Sequence, residues 1–189
     1  MRKSWKIAAA VMWSLVIVVS AFAFMASRDT PAEPERLFEL DDFTLTTHTG
    51  ETLDTAELEG DPWVAMIFLT ECPTGACPMM ISRMHALLEA VEDPRVKVVS
   101  IAADPVKDTP EQLAEYAELI GADKDRWIFA TGSMDEVRDA VGKLYLVLEP
   151  SHDERFLLFD EKNRAVGTYH RSDDEEMAQL KADAAALVN

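Results

Sequence analysis

The sequence has little positive charge and few cysteines, and each shortage argues against a class of protein. Its 189 residues include 18 Lys and Arg against 35 Asp and Glu, a net charge of -17 at pH 7. Nucleic-acid binding requires a basic surface that neutralises phosphates, so we expect no nucleic-acid partner. Two cysteines are too few for a fold held together by disulfides. Because 48% of the residues are apolar and 28% are charged, the chain can bury a core.

Acidic residues are absent from positions 1–27, where a long uncharged run lies instead. Residues 7–26 contain no charged side chain. A helix of this length spans about 30 Å, the hydrocarbon thickness of a bilayer. A secretory signal has an apolar region of only about 7–15 residues. The length therefore favours an uncleaved, single-pass transmembrane anchor. A cleaved signal stays open, since Ala21-Phe22-Ala23 resembles a cleavage site.

The charges that flank this run predict its orientation. All the basic residues of positions 1–27 precede it, whereas Asp29, Glu33 and Glu35 follow it. The positive-inside rule then places the N-terminus in the cytoplasm and the C-terminal part outside it, in a periplasm or an equivalent compartment. We expect an anchor or signal at 1–26, a linker at 27–36 and an extracytoplasmic domain at 37–189.

Apolar runs that alternate with helical patterns predict an α/β fold for this domain. Trp63–Leu69 and Val96–Ala103 are typical of strands buried on both faces of a sheet. After Pro78, apolar residues recur every three or four positions and predict a helix. Its buried face would hold Met80, Ile81, Met84, Leu87, Leu88 and Val91.

Turn and capping signals predict the remaining elements. These are a hairpin across 48–50, a helix from Thr109 to Gly121, a short helix from Ser133 through Val141, a hairpin around 160–163 and a final helix from Ser172 to about Leu187. Strands joined through helices imply right-handed crossovers and a parallel pair, with an antiparallel hairpin at the sheet edge. The prediction is a central mixed sheet flanked by helices. A cysteine pair between its first core strand and first long helix is the thioredoxin-like arrangement.

Cys72 and Cys77, in the segment Cys72–Pro78, are the candidate chemical centre. A thiol at a helix N-terminus meets unpaired N–H groups and the positive end of the helix dipole, which lower its pKa. The thiolate attacks disulfides and binds soft metal ions. A plain stabilising disulfide is the alternative, and an oxidising exported compartment permits it. Closing so small a ring would contribute only about 2 kcal/mol.

His152 precedes the strand predicted at Phe156–Phe159. Thioredoxin-like oxidoreductases normally carry a cis-proline just before this strand. Here His152 lies before the strand instead, and the predicted topology places it close to the cysteine loop. Two thiolates and an imidazole form a three-ligand site suited to copper. A lone histidine is more often an ordinary structural or surface residue, so both interpretations stay open.

Four further side chains near the cysteines are weaker candidates. Met79 and Met80 carry soft sulfur atoms, although Met80 also fits the buried face of the predicted helix. Glu71 adjoins Cys72, and Asp104 ends the second core strand. Either carboxylate could support a metal ligand or simply be exposed.

From about Phe43 to its C-terminus, the chain resembles the SCO/SenC family of thioredoxin-like copper proteins. Segment 103–110 looks like that family's Val-Asp-Pro-x-x-Asp-Thr-Pro signature, and His152 stands eight residues before Asp160, as the family's histidine does. The other shared features are Asp42-Phe43-Thr44-Leu45 and the strand that leads into Cys-Pro…Cys-Pro. An N-terminal anchor followed by an exported domain is also the family's layout.

The resemblance implies that Cys72, Cys77 and His152 bind Cu(I) or Cu(II), with Asp104 beside the ligands. It further implies a role at the binuclear copper centre of cytochrome c oxidase. The chain would deliver copper there or reduce that site's cysteines beforehand. The partner would be the oxidase subunit that holds this centre, or another exported thiol or copper protein.

This chain departs from the family pattern in the spacing of its cysteines. The family has three residues between its cysteines, whereas this chain has four, Pro73, Thr74, Gly75 and Ala76. The small Gly75-Ala76 pair could accommodate the extra residue as a bulge, or the insertion could change the copper geometry.

Two other functions stay open. In a thiol-disulfide oxidoreductase acting on exported cysteine proteins, Cys72 would attack and Cys77 would resolve the mixed disulfide. The other is a redox or copper sensor that uses the same site. His152 distinguishes the copper-binding function from the oxidoreductase, because copper binding needs this residue and thiol exchange could proceed without it.

Overall fold

The computed structural model of the chain describes residues 12–13, 37–145 and 154–189. Backbone contacts divide the chain into a unit of residues 1–34 and a unit of residues 35–189, and the fold below belongs to the second unit. The transmembrane segment predicted at 7–26 lies almost wholly outside the described residues, as does His152. No helix in the described part of the chain is long and apolar enough to cross a membrane.

Eight strands and four α-helices are formed by the described residues from position 37 onwards. In chain order they are β1 (Phe38–Glu39), β2 (Thr44–Thr47), β3 (Thr52–Asp54), β4 (Trp63–Phe68), α1 (Ala76–Ala90), β5 (Lys97–Ala102), α2 (Pro110–Ile120), β6 (Trp127–Thr131), α3 (Met134–Tyr145), β7 (Arg155–Phe159), β8 (Arg164–His170) and α4 (Asp174–Ala186). A 3-10 turn at Thr55–Leu58 joins β3 to β4.

The strands form one mixed sheet in the order β1-β8-β7-β4-β5-β6-β2-β3. Strands β4, β5 and β6 run parallel, and every other neighbouring pair is antiparallel. The predicted α/β class with a central mixed sheet is confirmed. The position predicted for the second hairpin is wrong, because β7–β8 lies between β4 and β1 rather than at the edge of the sheet. Strands β1 and β6 were not predicted.

Strand β6 escaped prediction because its sequence signal is short. Trp127–Thr131 is a five-residue run between a charged segment and Gly132, and short apolar runs do not distinguish a strand from part of a helix. Pairing with β5 makes this run a strand, since Val98 lies opposite Trp127 and Ile101 lies opposite Ala130. The Trp127 indole also donates a hydrogen bond to the buried Ser100 hydroxyl at 2.8 Å.

Apolar side chains are buried on both faces of the sheet. On one face Val64, Met66 and Phe68 of β4 pack with residues from α1, α2 and α4. On the other face Trp63 and Ala65 pack with residues from α3 and the β2–β3 hairpin. The predicted buried stripe of α1 is confirmed in full, from Met80 to Val91. This burial supplies most of the stabilisation at about 25 cal/mol per Å² of apolar surface.

The helix ends follow capping rules read from local sequence. Thr109 accepts the Gln112 N–H at the start of α2, and Gly121 ends that helix with φ 66°. Ser133 and Glu136 exchange reciprocal hydrogen bonds at the start of α3. At α4 the cap is Asp173 rather than Ser172, because its carboxylate accepts the N–H groups of Glu175 and Glu176.

Asn163 joins three segments beneath the β7–β8 turn. It is buried and holds φ 53°, a left-handed conformation that asparagine tolerates better than most residues. Its Oδ1 accepts the Trp63 indole N–H at 2.8 Å, and its Nδ2 donates to the Thr55 carbonyl at 2.6 Å. One side chain therefore connects the turn, β4 and the 3-10 turn.

We predict that Asn163→Ala lowers the free energy of unfolding by about 2–4 kcal/mol, because a buried indole N–H and a carbonyl lose their partner. Lys162→Ala, at an exposed position of the same turn, is the control and should change stability by less than about 0.5 kcal/mol. Urea unfolding followed by tryptophan fluorescence measures both. Equal stabilities of the two variants would contradict the role assigned to Asn163.

Candidate metal-binding and redox site

The two cysteines lie on either side of the start of α1. Strand β4 ends at Phe68, Cys72 lies in the loop, and Cys77 is the second residue of the helix. Pro78 is predicted as the first residue of this helix, and this is wrong: the helix begins at Ala76. Pro78 fits the third helical position because N–H groups of the first turn have no partner within the helix.

Gly75 makes the turn into α1. It has φ 72° and ψ 7°, a left-handed conformation that is strained for residues with a Cβ atom. Glycine also has no side chain that could cap the helix, and no side-chain cap is present at this position. The first N–H groups of α1 must therefore find their acceptors elsewhere in the loop.

The Cys72 sulfur is one of those acceptors. The Cys77 backbone N–H donates to Cys72 Sγ at 3.3 Å, and Thr74 Oγ1 lies 3.4 Å from the same sulfur. Thr74 Oγ1 also accepts the Ala76 N–H at 3.4 Å. The loop thus folds back so that the first cysteine contacts the backbone of the second.

This environment lowers the pKa of Cys72. Burial raises the pKa of the thiol, but hydrogen bonds from the side chains and backbone of Cys77 and Thr74 outweigh burial and bring it to about 6, from an ordinary value of 9.0. Cys72 is therefore mostly thiolate at neutral pH. Cys72 is half-buried and Cys77 is buried, and no disulfide bond joins them in this structure.

Both cysteines border one shallow cavity of about 120 Å³. Most of the other residues around it are apolar, among them Phe68 and Leu69 from the end of β4 and Ala103 from the end of β5. Apolar walls limit hydration of the sulfur atoms and leave few oxygen ligands to compete with them. The arrangement suits a soft cation or the sulfur of another thiol.

His152, the predicted third ligand, lies outside the described residues, so its place at the site stays a prediction. The residues that follow it are described. Strand β7 runs antiparallel to β4, with Ala65 opposite Leu157. The start of β7 therefore lies at the same end of the sheet as the loop that carries Cys72. Glu154 lies there and contacts His170 Nε2 at 3.2 Å and Arg171 Nη2 at 2.5 Å.

The weaker candidates occupy different environments. Met80 is completely buried and packs in the core, whereas Met79 is 43% exposed and its Sδ accepts a hydrogen bond from Arg171. Glu71 pairs with Lys107 at 3.0 Å. Asp104 accepts the Val106 N–H at 3.3 Å and shapes the turn after β5. Within the described residues, no three His, Cys, Asp or Glu side chains are grouped to hold a metal ion.

A buried carboxyl group that the sequence did not predict lies beside the loop. Asp108 is 1% exposed, and the Thr70 hydroxyl, two residues before Cys72, donates to its Oδ1. Burial raises the pKa of Asp108. Burial and the negative charges of Cys77, Cys72 and Asp108 raise the pKa of Tyr116. Asp108 belongs to the segment 103–110, which resembles the family signature. That sequence pattern pointed to the region but did not indicate that the Asp108 side chain is buried.

We predict that Thr74→Val raises the pKa of Cys72 above 6, because the thiolate loses a hydrogen bond that stabilises it. Alkylation of Cys72 by iodoacetamide, followed by mass spectrometry between pH 4 and pH 9, reports the thiolate fraction. The wild-type rate should rise through a midpoint near pH 6 and the variant rate through a higher one. Thr49→Val, in the remote β2–β3 turn, is the control. A midpoint unchanged by Thr74→Val would refute the role of this hydroxyl.

The sequence of this chain is similar to those of several known proteins. Residues 31–188 match the family model described as SCO1/SenC. The SCO1 protein homolog of Bacillus subtilis (strain 168) is 29% identical over 125 residues, which cover 64% of each chain. The mitochondrial SCO1 homolog of Homo sapiens is 31% identical over 110 residues, 56% of this chain and 35% of that protein. A protein of Stutzerimonas stutzeri named a putative copper-binding protein is 30% identical over 110 residues, 57% of this chain and 52% of that one.

Solved structures share the fold. A SCO1/SenC family lipoprotein from Bacillus anthracis str. Ames superposes with a TM-score of 0.71 at 23% identity, covering 84% of this chain and 99% of that one. Yeast Sco1 with copper bound superposes with a TM-score of 0.65 at 23% identity, covering 77% of this chain and 90% of that one.

Proposed function

The chain belongs to the SCO1/SenC family, and from this we propose that it binds copper through Cys72, Cys77 and His152 and assists copper insertion into the binuclear copper centre of cytochrome c oxidase. The observation that carries the proposal is the Cys72 thiolate, with a pKa of about 6, beside Cys77 at the wall of an apolar cavity. Relatives named for copper binding or solved with copper bound support the choice of metal.

The Cys72 thiolate suits Cu(I) for two reasons. A thiol must lose its proton before it binds a metal ion, and a pKa near 6 removes most of that cost at neutral pH. Thiolate is also the soft ligand that Cu(I) prefers. Cys77 supplies the second sulfur from the first turn of α1, and a neutral His152 imidazole would complete a three-ligand site.

Cys72 is the ligand suited to release. It lies half-exposed in the loop, whereas Cys77 is buried within the helix. A client thiolate can approach copper from the Cys72 side and displace that sulfur first, while Cys77 and His152 still hold the ion. The low pKa assists this step, since a less basic thiolate is a better leaving group.

The location of the chain is part of the proposal. An anchor at 1–26, a linker at 27–36 and a domain at 37–189 outside the cytoplasm would hold the site near a client in the same membrane. Tethering raises the effective concentration of the donor at the client without any new contact. The client would be the copper-centre subunit of the oxidase or another exported thiol or copper protein.

The low pKa of Cys72 also favours a second candidate, a thiol-disulfide oxidoreductase. The Cys72 thiolate would attack a client disulfide, form a mixed disulfide and release one client thiolate. Cys77, once deprotonated, would then displace the other client sulfur. The client gains two electrons and the protein loses two as the Cys72–Cys77 disulfide forms, so an external dithiol must reduce it for another turnover.

A Cu(I) competition titration tests the copper proposal. We predict that the reduced full chain, in detergent with a chromophoric Cu(I) chelator, withdraws one equivalent of Cu(I). Cys72→Ser and Cys77→Ser should weaken binding by about a hundredfold or more, and His152→Ala by about tenfold. His85→Ala, midway along α1 and remote from the cysteine loop, is the matched control and should leave affinity unchanged.

Other outcomes of the same titration reject or revise this proposal. If the chain withdraws no Cu(I) and its Cys72–Cys77 disulfide exchanges readily with a test dithiol, the oxidoreductase explains the site and the copper proposal fails. If it binds tightly and His152→Ala binds equally well, the third ligand is wrong.

A further inference from the structure

Two side-chain contacts join the segment before Cys72 to the turn that follows β5. The Thr70 hydroxyl donates to Asp108 Oδ1, and Glu71 Oε2 pairs with Lys107 Nζ at 3.0 Å. Neighbouring residues on one side thus contact neighbouring residues on the other. Both contacts lie within two residues of Cys72, where the chain has left β4 and has not yet entered α1.

The turn that carries Asp108 is itself fixed to the sheet. The N–H groups of Lys107 and Asp108 donate to the Asp104 carbonyl at 3.1 and 2.8 Å. Just before this turn, the Ala103 N–H donates to the Phe68 carbonyl at 3.0 Å and joins the residue after β5 to the end of β4. Asp108 therefore offers the loop an acceptor whose position the sheet determines.

Burial distinguishes the two contacts. The side chains of Glu71 and Lys107 are 75% and 60% exposed, and an ion pair so exposed contributes little to the structure. Asp108 is only 1% exposed, and Thr70 is partly buried. A hydrogen bond to a carboxylate is stronger in the protein interior than in water, because the local dielectric constant is lower there. The bond between Thr70 and Asp108 is therefore the contact that holds the loop.

Stability alone does not account for a carboxyl group at this place. The second oxygen of Asp108, Oδ2, is buried and has no hydrogen-bond partner in the described part of the chain. A buried oxygen without a partner destabilises a fold, and two apolar side chains of the same shape would avoid that cost. What the Thr70–Asp108 pair adds is a fixed direction for the segment that leads to Cys72.

Thr70 lies close enough to Cys72 to determine where its sulfur lies. Only Glu71 separates them, and two residues of extended chain span at most about 7 Å. Cys72 Sγ in turn accepts the Cys77 N–H at 3.3 Å. Resting on the function proposed above, in which Cys72 and Cys77 act together, we infer that Thr70 and Asp108 are positioning residues. They fix the point at which the chain leaves β4, so that the sulfur of Cys72 stays at the first turn of α1.

The equilibrium between the two thiols and their disulfide measures how closely the cysteines are held together. Oxidised dithiothreitol takes two electrons and two protons from the Cys72 and Cys77 thiols, so the protein disulfide forms and the reagent becomes a dithiol. In the full chain in detergent at pH 7, Thr70→Val should lower this equilibrium constant about tenfold, because valine keeps the volume and loses the hydroxyl. Thr70→Ser keeps a hydroxyl and should recover most of the constant. Alkylation of the remaining thiols followed by mass spectrometry measures it.

A double-mutant cycle shows whether Thr70 acts through Asp108. In the Asp108→Ala background, Thr70→Val should change the constant less than about twofold, because the hydroxyl has already lost its acceptor. Asn163→Ala, predicted above to destabilise the fold from the far turn of β7–β8, is the matched control and should leave the constant unchanged. Glu71→Ala removes the exposed ion pair and should change it less than about twofold. An equal loss in both backgrounds, or a tenfold loss in either control, would overturn the positioning role.

Amide hydrogen exchange in the reduced, metal-free protein gives a second readout. The Cys77 N–H donates to the Cys72 sulfur, so it should exchange faster in Thr70→Val and at the wild-type rate in Thr70→Ser and Asn163→Ala. An unchanged Cys77 exchange rate in Thr70→Val would overturn the inference whatever the disulfide constant. If the wild type withdraws no Cu(I) in the titration above, the copper proposal fails, and these metal-free measurements still decide the role of Thr70 and Asp108.

Discussion

The hydrogen bond from the Cys77 backbone N–H to the Cys72 sulfur is the interaction on which the site depends. A helix must find acceptors for its first N–H groups, and Gly75 offers no side chain for this purpose. The sulfur of Cys72 accepts one of them. A single contact therefore begins the helix, brings the two cysteines together and contributes to the low pKa of Cys72.

The two cysteines can approach each other across four intervening residues because of the conformation of Gly75, which precedes α1. Four residues separate Cys72 from Cys77, and the chain must reverse within them. Gly75 does this in a left-handed conformation, and no neighbouring atom lies within 4 Å of where its Cβ would be. The constraint is thus one of backbone conformation rather than of space. It leaves Cys72 on the half-exposed side of the loop and Cys77 inside the helix.

Buried polar groups secure the surroundings of the site. Asp108 accepts the hydroxyl hydrogen of Thr70 just before the cysteine loop, and Asn163 joins the far turn of β7–β8 to β4. Arg171 connects the start of β7 to α1. Each group is costly to bury unless it is paired, so each favours one particular arrangement of its segments. Strand β4, which leads into the loop, is thereby held at both of its ends.

Local signals in the sequence determined much of the fold. Apolar runs predicted β4 and β5, the three-to-four spacing predicted the buried face of α1, and the box at Ser133 and Glu136 predicted the start of α3. Motif chemistry singled out Cys72 and Cys77. Each of these inferences needs only residues within one helix turn or one strand, where backbone geometry fixes which side chains are neighbours.

Only the tertiary structure decided the rest, because it depends on pairing between distant segments. Trp127–Thr131 is a strand because β5 lies beside it, and the β7–β8 hairpin enters the sheet next to β4 because their apolar faces share one core. The burial of Asp108 and the position of Arg171 between Met79 and Glu154 have the same origin. Sequence alone named the reactive cysteines, whereas long-range packing determined their exposure and their neighbours.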